Sequence, residues 1–182
     1  MVGGGVEIGD TATGALVTAL VPPGGENLAV TPLSFSPDGR WLAGGSESGR
    51  VVVWDTATWD VARTWVAVQG GRVDSLAFTP DSSSVVAGGA GTASVWSVDP
   101  RAPAGMTLPL SALPSQSDVA VATLDGGRTV VTLTNDKGVQ RWEISPQALL
   151  EHACDVAGRN LTRDEWRTAL PNLPYAQTCP GR

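Results

Sequence analysis

Residues 51–58 read VVVWDTAT: three β-branched apolar residues run into a Trp-Asp pair, and a turn follows. The phrase occurs first at 6–13 as VEIGDTAT, with Gly9 where Trp54 stands. It returns in looser form at 92–99 as TASVWSVD and at 138–145 as GVQRWEIS. Positions 9, 54, 96 and 142 are thus separated by 45, 42 and 46 residues.

A period near 40–45 whose third strand ends on Trp-Asp marks one four-stranded propeller blade per repeat. The surrounding residues supply the other strands. LSFSPDGR at 33–40 alternates and then turns, with Pro37 presetting φ and Gly39 supplying a permissive backbone. Residues 41–45, 51–55 and 62–68 complete that copy. SLAFTPD at 75–81 repeats the opening, and 84–89 and 92–98 follow. Pro100, Pro103 and Pro109 leave only a short outer strand near 106–110, because proline is tolerated there only at an edge. The third copy spans 119–124, 129–134 and 139–144, with NDKG at 135–138 as a hairpin turn.

Two further segments frame these copies. Residues 1–27 hold the last two strands of a partial blade, 28–144 hold three blades, and 145–182 change period. Ser145-Pro146 is an N-cap with proline at the first helical position, and a helix runs to Gly158 with Ala148, Leu149, Ala153 and Val156 near helical spacing. Thr162 and Glu165 make a capping box for a second helix, whose apolar residues are Leu161, Trp166, Ala169 and Leu170. Pro171 and Pro174 close it. The expected fold is mainly β: an incomplete propeller of about three blades plus a partial one, with a two-helix tail.

Composition narrows function. Residues 1–144 carry 14 acidic and 8 basic side chains and the tail four of each, within a net charge of −6. An acidic surface argues against nucleic acid, whose phosphates need clustered cations. Lys137 is the only lysine, which reads as the coding bias of a GC-rich genome. No apolar run reaches the roughly 20 residues of a membrane span, and the start has no signal-peptide character. The cytoplasm is therefore the expected compartment.

These residues resemble WD-repeat β-propellers. The resemblance rests on FSPDGRWLAGGSESGRVVVWD (35–55), FTPDSSSVVAGGAGTASVW (78–96) and the looser third copy. It implies structural roles for Trp54, Asp55, Trp96, Trp142, Phe35 and Phe78. The family's Gly-His dipeptide is missing, since the only histidine is His152. The histidine-to-tryptophan hydrogen-bond network is then impossible, and packing alone is expected to hold the blades. A second resemblance covers the tail: ACDVAGRNLTRDEWRTALPNLPYAQTCP (153–180) looks like the segment closing many bacterial, especially actinobacterial, WD-repeat proteins. Those proteins often carry an ATPase, kinase or transcription-regulatory module before the propeller.

Cys154 and Cys179 leave three readings open. They form an adjacent pair pinning the tail, bonded or reduced; they are two separate structural thiols; or they serve metal or redox chemistry. A bond would close a loop of about 25 residues and stabilise by roughly 3 kcal/mol, but a reducing cytoplasm opposes it. With His152 the set is one ligand short of a zinc site. Trp166 and Tyr175 join the cysteines as expected anchors of the tail, Trp166 docking it on the last blade.

No catalytic set emerges. Ser46 and Ser48 sit in GGSESG (44–49), a polar hairpin turn with no helix after it and no histidine nearby. Gly88 to Gly91 precede strand residues, so they are no dinucleotide loop. Asp38, Asp81 and Asp125 recur as turn formers, and Asn160-Leu161-Thr162 is a helix start. Trp41 and Trp65 are expected to pack between blades. Trp59 replaces Gly14 of the first copy and is the tryptophan best placed for a partner, with Arg40, Arg72 and Arg128 at other blade turns.

Propellers typically close with 4–8 blades. The expectation is therefore the C-terminal part of a longer propeller, or a truncated frame. Its function would be a non-catalytic protein–protein interaction scaffold, without cofactor or metal. Its partner would be another protein or the missing blades of a longer chain, not nucleic acid or membrane. The alternative is the sensor portion of a larger signalling ATPase, kinase or transcription regulator.

Overall fold

The chain is described by a computed structural model covering residues 5–23, 30–99, 101, 106–108, 118–169 and 174–179. Among the described residues thirteen strands and two helices follow in the order read from the repeats. The strands are β1 (Val6–Gly9), β2 (Leu16–Leu20), β3 (Val30–Phe35), β4 (Trp41–Ser46), β5 (Arg50–Asp55), β6 (Val61–Val66) and β7 (Ser75–Phe78). Then come β8 (Ser84–Gly89), β9 (Thr92–Ser97), β10 (Met106–Leu108), β11 (Val119–Leu124), β12 (Thr129–Thr134) and β13 (Gly138–Glu143). The helices are α1 (Pro146–Ala157) and α2 (Arg163–Ala169). Two compact units result, one spanning Met1–Trp142 and the other Glu143–Arg182.

In the first unit each repeat is one antiparallel meander: β3-β4-β5-β6, then β7-β8-β9-β10, with the two-stranded β1-β2 before them and the three-stranded β11-β12-β13 after. The architecture is mainly β, an incomplete propeller. The weak outer strand near Met106 does pair, with Met106 opposite Val95. Proline positions 100, 103, 109 and 171, and Leu170, lie outside the described residues.

Cores form between neighbouring sheets, because strands flanked on both faces bury nearly every side chain. Val6 and Leu20 close over Leu42, Val52 and Trp54. Ala43, Val51, Val53 and Trp65 of the next sheet pack against Phe78, Val85 and Ala87, with Trp41 and Trp96 partly buried beside them. Position for position the repeats coincide: Val6 pairs with Leu20 as Val51 pairs with Trp65. The WDTAT turn is also reused. Gly14 N–H donates to the Asp10 carbonyl at 2.8 Å and Trp59 N–H to the Asp55 carbonyl at 2.6 Å. Both sit in the left-handed region, with φ of 70° and 61°. At Gly49 the chain requires glycine, since φ is +78° and a Cβ would lie 1.9 Å from the Val68 carbonyl oxygen.

Phe35 corrects one expectation. Its equivalent Phe78 is 6% exposed, whereas Phe35 is 58% exposed, with Leu33 beside it at 49%. Phe78 lies in one buried cluster with Ala43, Val51, Val53 and Trp65 of the preceding sheet. The neighbour on the other flank contributes only β1 and β2, which reach Leu42 and Trp54 but leave Phe35 bare.

Packing alone is not what holds the tryptophans, a second correction. Trp96 Nε1–H donates to Ser94 Oγ at 2.8 Å, and Ser94 Oγ–H donates on to the Ala67 carbonyl of the preceding repeat at 3.1 Å. Trp142 Nε1–H donates to Thr132 Oγ1 at 3.0 Å. Buried hydroxyls thus take the place of the absent histidine as partners.

The second unit caps its helices as expected. Ser145 Oγ accepts from Ala148 N–H at 3.3 Å, and Gly158 ends α1 in the left-handed conformation. The box at α2 is reciprocal: Thr162 N–H donates to Glu165 Oε2 at 2.8 Å and Glu165 N–H to Thr162 Oγ1 at 3.3 Å. Helical spacing overstated the apolar faces. Val156 is 76% exposed, and Leu161 and Ala169 are exposed, while Trp166 is buried. Cys154 and Cys179 are joined by a disulfide with Cα atoms 5.5 Å apart, which selects the bonded reading of the pair.

Candidate interaction surface

The turn residues expected to meet a partner divide between the two ends of the sheets. Arg40 follows the β3–β4 turn, Trp59 lies between β5 and β6, and Arg128 lies between β11 and β12. Because Trp41 pairs with Asp55, the first two share one end, and the β11–β12 turn is the matching turn of its repeat. Arg72 lies before β7, at the opposite end. It bridges Asp74 at 2.6 Å and Asp118 at 3.0 Å, and these carboxylates raise its pKa. Val119 N–H also donates to Asp74. Arg72 therefore ties the β7–β10 sheet to the β11–β13 sheet and cannot share a contact surface with the others.

Trp59 is half-buried and packs on the cluster around Trp54, so its ring is largely committed to the fold. Arg40 stands over the Trp41 ring at 4.4 Å, within cation–π range, and its Nε is 3.9 Å from Asp55. Arg128 is exposed.

Beside Arg40 a groove of about 670 Å³ opens between the two four-stranded sheets. Asp38, Arg40, Trp41, Asp81, Ser83 and Asp99 line it. Two of its acids are fixed by their own turns. The Ser36 hydroxyl, donating at 2.5 Å, is the main reason the Asp38 carboxyl titrates below the usual range. For Asp81 the Thr79 hydroxyl at 2.6 Å acts the same way. With Asp99 the lining holds three acidic side chains to one arginine, Arg40, and the Arg63 guanidinium is lodged against its Ser97–Asp99 edge.

The groove cannot close easily, because its walls are tied. Asp38 N–H donates to Ser82 Oγ at 3.2 Å. Arg63 reaches from β6 across to the next sheet, where its guanidinium donates to the Ser97 carbonyl at 2.7 Å and to that of Asp99. Sequence reading missed Arg63; the equivalent residue of the first copy is Thr18, so no repeating signal exposes it.

Among the described residues no three metal-ligating side chains cluster. No helix there is long and apolar enough to cross a membrane, which says nothing of a β-barrel. Ser46 and Ser48 hydroxyls lie 3.0 Å apart within their turn. Tyr175 donates its hydroxyl to the Leu161 carbonyl at 3.1 Å and meets Trp166 edge-on, with ring centroids 5.7 Å apart.

Comparison with known proteins bears on the two sheets that form the groove. The family described as "WD domain, G-beta repeat" matches residues 28–55 and 62–97, which are therefore WD repeats. A WD repeat-containing protein of Deinococcus radiodurans, itself uncharacterised, is 42% identical over 77 residues, covering 42% of this chain and 28% of that protein. A second one from that organism is 41% identical over 58 residues, covering 32% of this chain and 22% of the relative. Actin-interacting protein 1-2 of Arabidopsis thaliana is 36% identical over 61 residues, covering 34% and 10%. The chain spans about a quarter of the length of the Deinococcus relatives it matches.

Proposed function

We propose that this chain is a non-catalytic scaffold for protein–protein interaction, and that the groove between its two matched repeats is the contact surface. WD repeats generally mediate such contacts, and the groove gives the reading a location. The observation that carries it is the tied, preformed cleft at Asp38, Arg40, Trp41 and Asp99. A rigid cleft spares the partner most of the ordering cost of association. Its lining includes Trp41 and Arg40, two residue types in which binding hot spots concentrate. The excess of carboxylates selects a partner segment carrying Arg or Lys.

The test is affinity capture from source cells, followed by titration of the identified, purified partner. Ser83→Arg and Asp99→Lys, which place a cation in the groove, should each weaken binding of a basic segment at least about tenfold, whereas Lys137→Glu, in the β12–β13 turn, should not. Equal binding by all three variants would remove the groove from the interface.

A further inference from the structure

The C-terminal unit holds together in an unusual way. Residues 174–179 have no helix or strand of their own, yet they lie as a strap along the two helices. Side-chain attachments among the described residues keep them there, three of them prominent. The first is the disulfide to Cys154 near the end of α1, whose cysteines are 7% and 6% exposed. The second is the Asn160 amide, which accepts from Cys179 N–H at 2.8 Å and donates to the Cys179 carbonyl at 2.9 Å, mimicking a neighbouring strand. The third is Tyr175, bonded to the Leu161 carbonyl, set edge-on to Trp166 and stacked under Arg163 at 5.1 Å. Between α1 and the strap lies a cavity of about 260 Å³ lined by Gln147, Leu150, Glu151, Asp155 and Thr178, with the disulfide in its wall.

We propose that the Cys154–Cys179 bond is a redox latch on this unit. A dithiol reductant attacks one sulfur, forms a mixed disulfide and then closes to its own disulfide. Two electrons and two protons thereby pass to the chain, leaving two thiols. Without the covalent tie the strap must be held by side-chain contacts alone. The 25-residue separation of the cysteines restores a large loop entropy to the released state. The strap then leaves α1 and opens the cavity. The β-sheet unit contains no cysteine and keeps its fold. Both cysteines are nearly buried between α1 and the strap, so lifting of the strap speeds attack on the disulfide and the Asn160 clamp slows unlatching.

The experiment uses the full chain purified without reductant. Alkylation should find no free thiol before dithiothreitol and two after it. Trypsin should then cut at Arg159, Arg163 and Arg167 at least about tenfold faster, the response expected when a local opening becomes easier by one decade. Cleavage at arginines in residues 1–142 should be unchanged. Asn160→Ala, losing two hydrogen bonds, should shorten the reduction time about tenfold. The Cys154→Ser/Cys179→Ser chain should cut like the reduced protein and ignore dithiothreitol; if it does not fold, the reductant titration of the unaltered chain decides. Two alkylated thiols in the unreduced folded chain would overturn the proposal. So would tail cleavage indifferent to reduction, or loss of protection in residues 1–142 in step with the tail.

Discussion

The indole rings of Trp65 and Trp96 stack across two neighbouring sheets, with centroids 5.4 Å apart and planes inclined by 24°. Trp65 closes the outer strand of one repeat over the signature tryptophan of the next, as Leu20 does for Trp54 one repeat earlier. Two residue types thus solve the same packing problem, which makes the position a measure of how the sheets cohere.

Trp65→Ala should cost about 3–5 kcal/mol in chemical denaturation, the range for an emptied aromatic core site. Trp65→Phe should cost much less. It keeps a ring against Trp96 and removes an indole N–H that is buried without an acceptor. If the Phe and Ala variants were equally destabilised, the stacked contact would not be what holds the sheets together.

Phe35 and Phe78 occupy the same position in consecutive repeats but differ in exposure, 58% against 6%. Phe78→Ala should therefore cost about 3–5 kcal/mol, and Phe35→Ala under about 1 kcal/mol. Comparable losses in urea titrations would show that Phe35 is covered in solution.

The contrast between these two residues shows what a sequence can disclose. Strand order, turn positions and helix caps were legible because each depends on neighbouring residues: Pro37 and Gly39 in a turn, Thr162 and Glu165 at a helix start. The burial of Phe35 was not legible, because it depends on which strands the adjacent sheet contributes. The division of Arg40 from Arg72 needed strand direction as well as turn composition. The Ser94 and Thr132 partners were missed for a different reason. Ala87 and Gly44 hold the position of Thr132 in the other repeats, so the hydroxyl does not recur with the period.

Thr132 is fully buried and accepts the Trp142 indole N–H at 3.0 Å. Thr132→Val should cost about 1–3 kcal/mol, because it leaves that donor without its partner. Thr132→Ser, which restores the hydroxyl, should recover most of the loss. Thermal unfolding of the two variants side by side separates the hydrogen bond from the packing. Equal melting temperatures would leave no role for the bond.

Glu165 should titrate well below the usual carboxylate range, at about 2, because the Arg159 guanidinium and then the Thr162 groups favour its ionised form. Arg159 holds it with two hydrogen bonds of 2.8 Å. A folded-state pKa below the ordinary value of 4.5 means the contact supports α2 fully above pH 4.5. That support fades as pH falls towards about 2. Carboxyl chemical shifts read by NMR should show this low value, and Arg159→Ala should move it upward. An unmoved midpoint would refute the pairing in solution.

The claim that matters most is that the cleft between the two WD repeats receives another protein, and hydrogen–deuterium exchange tests it most directly. Amides of the chain would be compared free and with the partner it captures. Slowed exchange is expected in peptides covering residues 38–41, 81–83 and 97–99, with little change at 72–74 or 135–137. Protection confined to those last two segments, with the cleft exchanging as in the free chain, would contradict the account.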